Sequence, residues 1–522
     1  MKYPIGIQTF EQIINNGFVY VDKTDMVYAL ATEGKTYFLS RPRRFGKSLL
    51  LSTLRAYFEG KKELFKGLKI DKLEKDWHAH RVLHIDFNGV VFTRPGALED
   101  ELDKQLSTWE EEYHLPKGTR EMYGWRFEQI VQAIYTETGR GAVVLIDEYD
   151  KPLLDVLEMD PELLNNNREI LKAFYSVFKR TDAYLRFVFL TGVTKFSQVS
   201  VFSGFNQPKD ISMYEQFEAL CGITEEELHT QFAEPIREMA QAENCTEEEM
   251  KLRLKKHYDG YHFSKQMTDI YNPFSVLNAF DSKDIRDFWF ATGTPTYLIR
   301  LMNHFNEGID ELTGREYSLD EFVNYKADTE YPLPMIYQSG YLTIKNYDRE
   351  MDMFLLDFPN NEVKRGFLAM VASNYLQSGQ PMDSWIKRAV LSLRRGQIDQ
   401  FRQMLTAFLA SIPYSMRRKD EERERERYFQ YTFYLLLRLM SVYTIYIEKE
   451  QSEGRVDCVI ETPQFVYIFE FKLDGTAAGA LQQIEDKGYA REYEADARPV
   501  HKIGVNFSSE TGTIEGWEHA IR

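Results

Sequence analysis

Two carboxylates and a lysine near the C-terminus have the types and order that metal-dependent phosphodiester hydrolysis requires. Asp457 precedes Glu470 and Lys472 across a plausible turn at 461–464, and the latter two lie within the apolar run 465–473. Side chains alternate between the faces of a strand, so we expect Glu470 and Lys472 on one face, with Asp457 near the end of the neighbouring strand. The two carboxylates would form a hard oxygen site of the kind Mg²⁺ prefers, and the ammonium could stabilise charge developing on phosphorus.

The alternative interpretation of these residues is an exposed strand with an ordinary Glu–Lys pair. The run 465–473 is nearly all apolar, however, so both faces of this strand are expected to be covered. Charged residues in a buried strand are costly unless a ligand or a partner compensates for them. The setting therefore favours a functional site, and a helix is predicted to follow at 477–493.

A second chemical motif lies near the N-terminus, where segment 37–58 has the order of a phosphate-binding loop. An apolar strand at 37–40 leads into the loop 41–48, and a helical pattern follows at 49–58. Backbone N–H groups and a helix N-terminus would hold the phosphates of ATP, with Lys47 directed at the β- and γ-phosphates and the Ser48 hydroxyl ligating Mg²⁺. Arg41 stands where the usual motif has its first glycine. The predicted nucleotide-binding residues of this loop are Arg44, Phe45, Gly46, Lys47 and Ser48.

The acidic partner of this loop is predicted at the end of the apolar strand 142–146. Asp147 would hold Mg²⁺ through water, and Glu148 would activate the attacking water. The alternative is a parallel strand that merely ends in acidic residues. A third strand at 186–191 ends in Thr191, and either Thr191 or Thr194 fits a sensor that hydrogen-bonds the γ-phosphate, although a Thr-Gly pair at a strand end is also common in turns.

These motifs resemble those of one bacterial protein family, which carries an AAA-ATPase-like domain at the N-terminus and a nuclease-like domain of the PD-(D/E)XK superfamily at the C-terminus. In the N-terminal part, the resemblance rests on segments 18–24, 40–48, 145–150, 201–206 and 257–261. In the C-terminal part, it rests on segments 426–430, 454–457, 469–472 and 480–484. The form of loop 41–48 is usual in that family, so the missing first glycine is a family trait.

The resemblance implies a restriction-endonuclease-like α/β core at the C-terminus. Within it, Asp457, Glu470 and Lys472 would be the central triad of a nuclease site. Two further residues would be carried by helices: Glu426 as an accessory carboxylate, and Gln483 facing the site. Glu426 lies in the charged run 417–427, where neighbouring glutamates compete for the role and a solvated helix face is the alternative.

The composition is that of a large globular protein of the cytoplasm. With 522 residues, the chain is too long for a single core, and two or three domains are expected. The three cysteines are odd in number and widely spaced, which suits a reducing compartment and gives no disulfide framework. The start of the chain has no apolar signal region, and the longest apolar run, 431–447, is broken by Arg438 and is read as a buried helix, not a membrane span.

The charge distribution limits the expected partners. A net charge of −17 argues against indiscriminate binding of nucleic acid. Residues 381–522 are nearly neutral, with 20 Lys and Arg against 22 Asp and Glu, so contact with DNA is compatible with this part of the chain. The cluster of Arg41, Arg43 and Arg44 is explained by nucleotide phosphates or by contact with another subunit.

The predicted fold class is α/β, with three regions. Residues 1–225 alternate strands and helices, with strands near 37–40, 82–87, 142–147 and 186–191, as in a P-loop NTPase domain. Residues 226–355 are mostly helical, with a strand-like pair around 335–347, and are read as a lid or winged-helix-like region by analogy with AAA-type proteins. Residues 356–522 form the nuclease-like domain, with a helical lead-in at 384–412.

The function predicted from these observations is that of an ATP-dependent nuclease, with ATP and Mg²⁺ as cofactors and nucleic acid, DNA more than RNA, as the partner. The alternative is a regulatory NTPase switch, whose nuclease-like domain only binds nucleic acid or a protein. Self-association that depends on nucleotide is expected by analogy with P-loop ATPases that complete their site with a neighbour's arginine. No membrane partner is expected.

Overall fold

The computed structural model describes residues 1–195, 208–291, 298, 312–323, 332–376, 382–411, 432, 436, 444–451 and 454–522. The chain divides into two compact units, Met1–Lys364 and Arg365–Arg522, and each is described by itself. Across these described ranges, no helix is both long and apolar enough to cross a membrane.

The first unit is built on a parallel sheet of five strands: β1 (Thr36–Ser40), β2 (Val82–Asp86), β3 (Ala142–Asp147), β4 (Leu185–Gly192) and β5 (Lys209–Asp210). Their order across the sheet is β2-β3-β4-β1-β5. Every residue of β3 is buried, as expected for a near-continuous apolar run in a parallel sheet that is covered on both faces. The predicted α/β architecture and the four main strands are therefore confirmed.

Strand β4 lies between β1 and β3 and brings the chemically important strand ends together. Ser40 at the end of β1 is paired with Gly192, and Ile146 of β3 is paired with Leu190. Because the strands are parallel, their carboxyl ends share one edge of the sheet, which is where open α/β sheets bind ligands. The helices of this part are Phe10–Asn15, Thr24–Glu33, Lys47–Phe58, Lys69–Leu73, Ala97–Glu112, Tyr123–Thr138, Lys151–Leu154 and Pro161–Arg180.

The remainder of the first unit is mainly helical. Its helices are Glu225–Gln231, Ala233–Ala242, Glu247–Tyr258, Pro273–Ser282, Phe288–Ala291, Leu319–Val323 and Leu333–Gln338. They accompany a two-stranded sheet, β6 (Ile223–Thr224) with β7 (Ile270–Tyr271), and a three-stranded antiparallel sheet. In the latter, β10 (Met353–Asp357) lies between β8 (Arg315–Tyr317) and β9 (Thr343–Asp348).

The strand-like pair predicted around 335–347 is only partly correct. Its first half, Leu333–Gln338, is a helix, whereas its second half does contain a strand, β9. The hairpin partner of β9 is β10, which lies further along the chain. The apolar run near Met335 fits a short buried helix as well as a strand, so periodicity alone could not decide between them. A helix, Asn361–Leu376, follows the hairpin and contains the boundary between the two units.

After the boundary helix, the second unit continues with the helices Met382–Arg394 and Ile398–Ala410, which lie where the helical stretch 384–412 was predicted. Its sheet has the order β11-β12-β13-β14-β15, with strands Thr444–Gln451, Gly454–Glu461, Val466–Leu473, Val500–Phe507 and Ile514–Ile521. Only the β13–β14 pair of this sheet is parallel among the described strands. The helix Ala477–Asp486 connects those two strands and packs on the sheet, as a parallel crossover requires.

Two predictions in this unit need correction. The run 431–447 is not one helix: Thr432 and Leu436 are helical and buried, but residues from Thr444 onward form β11. The helix predicted at 477–493 ends at Asp486, and only a short 3₁₀ turn, Arg491–Tyr493, follows. Gly488 adopts a φ of +61° between them, the left-handed conformation that commonly ends helices.

Two candidate active sites

The phosphate-binding loop and the strand carrying Asp147 meet at the edge of the first sheet. Gly46 adopts a φ of +93° immediately before the helix Lys47–Phe58, a conformation that favours glycine. The Ser48 hydroxyl donates a hydrogen bond of 2.6 Å to Asp147 Oδ2. The two residues predicted to hold Mg²⁺ with ATP are therefore in direct contact.

The Lys47 ammonium is buried, and it makes no direct hydrogen bond to a carboxylate of the described residues. Its Nζ donates to the carbonyl oxygens of Arg41, at 2.9 Å, and Pro42, at 3.0 Å. Burial lowers the pKa of Lys47, while the charges of Glu148 and Asp147 act to raise it. Two neutral carbonyls offset only part of the cost of burying an ammonium, and a phosphate anion would supply the missing charge. The loop therefore fits a nucleotide phosphate.

Glu148 has a backbone conformation that is unusual for its residue type. Its φ is +50°, in the left-handed region that carboxylate side chains visit only occasionally. Burial raises the pKa of Glu148, and the nearby Lys47 partly opposes that rise. Strained backbone and a shifted pKa together are common where a carboxylate acts as a general base.

The two candidate sensor threonines bind two different aspartates. Thr191 Oγ1 donates to Asp147 Oδ1 at 2.7 Å, so it lies beside the predicted magnesium ligand. Thr194 instead binds Asp150: the backbone N–H and the hydroxyl of Thr194 both donate to Asp150 Oδ2 at 2.7 Å. The N–H of Val193 donates to the same oxygen at 3.0 Å. The sequence did not single out Asp150, and its only signal was its place in the acidic segment 147–150.

The arginines of the loop do not act as one cluster. Arg41 is only 1% exposed and donates to the carbonyl oxygens of Ser212, Phe217 and Glu218. Its guanidinium also lies 4.1 Å from the ring centroid of Phe263. The prediction that Arg41 meets phosphates or another subunit is wrong, because its guanidinium is used to hold backbone carbonyls inside the fold.

The other loop residues divide between surface and core. Arg43 and Arg44 are exposed, and the Arg44 guanidinium lies 5.1 Å from the ring centroid of Phe274. Phe45 is buried and packs edge-on against Tyr261, with ring centroids 4.7 Å apart. Only the backbone of Phe45 is therefore available to a nucleotide.

A largely apolar cavity of about 430 Å³ lies beside the start of the loop. Ser40, Arg41 and Pro42 form part of its wall, but Lys47 and Asp147 do not line it. The cavity is therefore separate from the side chains that would meet the phosphates.

The candidate nuclease site lies where strands β12 and β13 stop pairing. Their ladder runs from the Glu461–Val466 pair to the Cys458–Phe469 pair. Asp457 is the next residue of β12, and its Oδ2 accepts a hydrogen bond of 2.7 Å from the Phe471 N–H. The sequence placed Asp457 near the end of its strand, whereas it lies inside the strand at the end of this ladder.

Glu470 is a buried carboxylate with an incomplete set of partners. It is 2% exposed, and burial, with a smaller contribution from Asp457, raises the pKa of Glu470 to about 7. Among the described atoms, Glu470 Oε2 is buried and has no hydrogen-bond partner. A buried carboxylate oxygen without a partner, beside a second carboxylate, fits a divalent cation.

Gln483 joins Glu470 and Lys472 from the helix Ala477–Asp486. Lys472 Nζ donates to Gln483 Oε1 at 2.7 Å, and Gln483 Nε2 donates to Glu470 Oε1. Lys472 Nζ also lies 3.6 Å from Glu470 Oε1. Glu470 and Lys472 thus share one face as predicted, while Phe469 and Phe471 are buried.

Tyr489 is a neighbour of this site that the sequence did not single out. Burial raises the pKa of Tyr489, and a hydrogen bond with the Gln483 side chain opposes this. Its position six residues after Gln483 gave no signal, because the helix ends between them. Glu426 lies outside the described residues.

The donor sets of both sites suit a cation that keeps several water or substrate ligands. Within the described ranges, no group of three or more His, Cys, Asp or Glu side chains could hold a metal ion. Mg²⁺ is commonly bound by one or two carboxylates together with phosphate oxygens and waters. The pairs Ser48 with Asp147 and Asp457 with Glu470 are consistent with that mode.

Comparison with known proteins gives two family matches. Residues 4–202 match the family described as Predicted AAA-ATPase, and residues 424–517 match the PD-(D/E)XK nuclease superfamily. The first match contains the phosphate-binding loop, Asp147 and Thr191. The second contains Asp457, Glu470, Lys472 and Gln483.

One relative matches the chain over nearly its whole length. The chain is 36% identical to the "Uncharacterized protein in vnfD 5'region" of Azotobacter chroococcum mcd 1, over 99% of this chain and 98% of the relative. Among solved structures, the match to the Aeropyrum pernix ORC1 protein in complex with DNA covers 67% of this chain and 93% of that protein's chain, at 11% identity and a TM-score of 0.23. The chain therefore belongs to the family of proteins that combine an AAA-ATPase-like domain with a C-terminal domain of the PD-(D/E)XK nuclease superfamily.

Proposed function

We propose that this protein is an ATP-dependent nuclease, in which a P-loop ATPase domain is coupled to Mg²⁺-dependent hydrolysis of phosphodiester bonds in DNA. The observation that carries the proposal is the Glu470 carboxylate, which is buried and has one oxygen without a hydrogen-bond partner among the described atoms. It lies beside Asp457 and 3.6 Å from the Lys472 ammonium. A module that only binds a partner has no need to bury such a set of charges, which is costly without a ligand.

In the nuclease domain, Asp457 and Glu470 would hold Mg²⁺, which when bound polarises a phosphoryl oxygen and lowers the pKa of a water. Lys472 would stabilise the negative charge that develops on the phosphate in the transition state. Gln483 fixes the direction of the ammonium by accepting its hydrogen bond, and at the same time donates to Glu470. The Lys472 side chain is 36% exposed, so a substrate can reach it.

In the ATPase domain, the N-terminus of helix Lys47–Phe58 and the Lys47 ammonium would bind the phosphates. Ser48 and Asp147 would hold the Mg²⁺ that accompanies ATP. Glu148 would accept a proton from the attacking water as its oxygen bonds to the γ-phosphorus and ADP leaves. Burial raises the pKa of Glu148, which makes its carboxylate a stronger proton acceptor than an exposed one.

We assign these roles to three functional regions: residues 1–225 as the ATPase domain, 226–355 as the lid, and 356–522 as the nuclease domain with its helical lead-in. DNA is the proposed substrate, and the near-neutral charge of residues 381–522 is compatible with it. Self-association in the presence of nucleotide is part of the proposal. Light scattering that gives one mass with and without a non-hydrolysable ATP analogue would remove that part.

The test is to incubate the purified protein with Mg²⁺, with and without ATP, and a panel of linear and circular DNA and RNA substrates. The proposal predicts cleavage of DNA that needs Mg²⁺ and changes with ATP. Protein that cuts none of these substrates, but binds nucleic acid or protein only when ATP is present, would favour a regulatory switch instead.

A further inference from the structure

The structure assigns Trp289 and Glu362 as positioning residues of the phosphate-binding loop, an inference that rests on the proposed ATPase function. Both belong to the same compact unit as the loop, but they follow it by more than two hundred residues. Neither lies within residues 4–202, which match the AAA-ATPase family. They touch the loop backbone or support a residue that does, and neither is expected to touch the reacting atoms.

Trp289 holds the loop through one backbone carbonyl. Its indole Nε1 donates a hydrogen bond of 3.2 Å to the carbonyl oxygen of Arg43. The peptide that joins Arg43 to Arg44 is planar, so fixing its C=O also fixes the direction of the Arg44 N–H. Backbone N–H groups of such loops are the donors that hold phosphates. Trp289 therefore sets the orientation of one of these donors.

The loop needs this support because its backbone is strained at that point. Arg44 adopts a φ of +66°, a conformation that is uncommon for residues other than glycine. Residues in such conformations persist when the surrounding structure holds them in place. Arg41 replaces the first glycine of the usual motif and is itself anchored by carbonyls outside the loop. The loop is thus held from outside, and Trp289 supports its strained centre.

Glu362 fixes the backbone of Trp289. Its Oε1 accepts a hydrogen bond of 2.6 Å from the Trp289 N–H, and its Oε2 accepts one of 2.8 Å from Ser275 Oγ. Tyr341 packs against the indole, with ring centroids 5.0 Å apart. Trp289 is therefore held at its backbone and along its ring, which leaves the indole N–H directed at the Arg43 carbonyl.

A second close contact supports the same segment. Gly340 adopts a φ of +87°, and a Cβ added there would lie 2.6 Å from the ring of Pro42. Gly340 directly precedes Tyr341, the residue that packs on the Trp289 indole. The backbone next to Tyr341 therefore lies against Pro42 of the phosphate-binding loop. The loop carbonyl, the indole and Glu362 thus form one continuous support.

The test compares Trp289→Phe with a matched control, Trp385→Phe. Trp385 is also buried, and its Nε1 also donates a hydrogen bond of 3.2 Å to a carbonyl, that of Met404, in the other compact unit. Each substitution removes one indole hydrogen bond, but only the first should raise the KM for ATP, by roughly fivefold, with kcat within about twofold of wild type. Equal KM values for the two variants would overturn the inference.

A second pair of variants keeps the inference testable if Trp289→Phe does not fold. Glu362→Gln keeps an oxygen acceptor for the Trp289 N–H, whereas Glu362→Ala removes it. The expected result is a KM for ATP that rises with alanine and is restored towards wild type by glutamine. Equal KM values for these two variants would overturn the role of Glu362. Failure of the wild-type protein to bind ATP would instead refute the proposed ATPase function, so the two failures are distinguishable.

Discussion

The Ser48 hydroxyl donates a 2.6 Å hydrogen bond to the Asp147 carboxylate across a sequence separation of 99 residues. This contact places the phosphate-binding loop and the acidic strand end in one site. The parallel order β3-β4-β1 produces it, because the ends of these strands lie along one edge of the sheet. The phosphate-binding loop, although it begins with Arg41 and not with glycine, is therefore hydrogen-bonded to Asp147, the residue that would hold the magnesium of the nucleotide.

Removing the loop lysine and removing the acidic base should affect ATP in different ways. Lys47→Ala deletes a buried cation beside the phosphate site, so it should abolish most ATP binding. Glu148→Gln should keep ATP binding and slow hydrolysis, roughly a hundredfold or more, because only proton acceptance is lost. Calorimetric titration and a phosphate-release assay would measure the two effects. Failure of the wild-type protein to bind either ATP or GTP would show that the loop has been misassigned.

The Arg41 side chain should contribute strongly to the stability of the fold, whereas the Arg44 side chain should contribute little. Arg41→Ala leaves the carbonyls of Ser212, Phe217 and Glu218 without their donor inside the fold, and should cost roughly 3 kcal/mol or more. Arg44→Ala removes an exposed side chain and should change stability by less than about 1 kcal/mol. Melting temperatures of the two variants would measure the difference. An Arg41→Ala protein that melts like the wild type but no longer binds ATP would indicate a direct phosphate contact after all.

Glu362 should make the stability of the first unit depend on pH. Burial raises the pKa of Glu362 in the folded protein from 4.5 to about 8. Between these values the folded state binds more protons than the unfolded state, so the free energy of unfolding falls as the pH rises through this range and levels off above it. Glu362→Gln cannot ionise, and near pH 9 it should be more stable than wild type by roughly 2 to 5 kcal/mol, with little difference near pH 5.

Calorimetric melting of Glu362→Gln and wild type at both pH values would measure that effect. The control is Glu316→Gln, which neutralises an exposed carboxylate of β8 in the same unit. A stability difference between Glu362→Gln and wild type that stays the same at both pH values would contradict the buried, protonated state of Glu362.

Gln483 should contribute to cleavage through its neighbours. Gln483→Ala frees the Lys472 ammonium and the Glu470 carboxylate from their common partner, and should lower the rate of Mg²⁺-dependent cleavage roughly ten- to a hundredfold. Gln482→Ala is the matched control, because Gln482 is the adjacent residue of the same helix, is exposed, and hydrogen-bonds Asp486 instead. Equal cleavage rates for the two variants would show that Gln483 does not orient the site.

The strands and the two motifs could be predicted because their signals are local. The strand 142–147 is a continuous apolar run that ends in acids, and Glu470 and Lys472 alternate with phenylalanines inside another such run. The helix after β13 was predicted too long, because the conformation of Gly488 depends on how the chain turns back towards β14. The strand 142–147 and the strand that carries Glu470 and Lys472 were predicted correctly because residues close in sequence determine them.

The residues that sequence reasoning missed depend on distant contacts. Arginine is usually a surface residue, so its type gave no sign that Arg41 would be buried among carbonyls of residues 212–218. Trp289 contacts a loop carbonyl 246 residues away, and Asp150 binds Thr194 across 44 residues. Such contacts follow from tertiary packing, which a single sequence does not display.

The central claim is that Asp457 and Glu470 form a nuclease site that is distinct from the ATPase site. The most direct measurement compares wild-type protein with the double variant Asp457→Ala, Glu470→Ala, following Mg²⁺-dependent DNA cleavage and ATP hydrolysis in the same preparations. We expect the double variant to lose cleavage while its ATP hydrolysis stays within about twofold of wild type, because the two sites lie in separate compact units. Cleavage by the double variant at the wild-type rate would contradict the account.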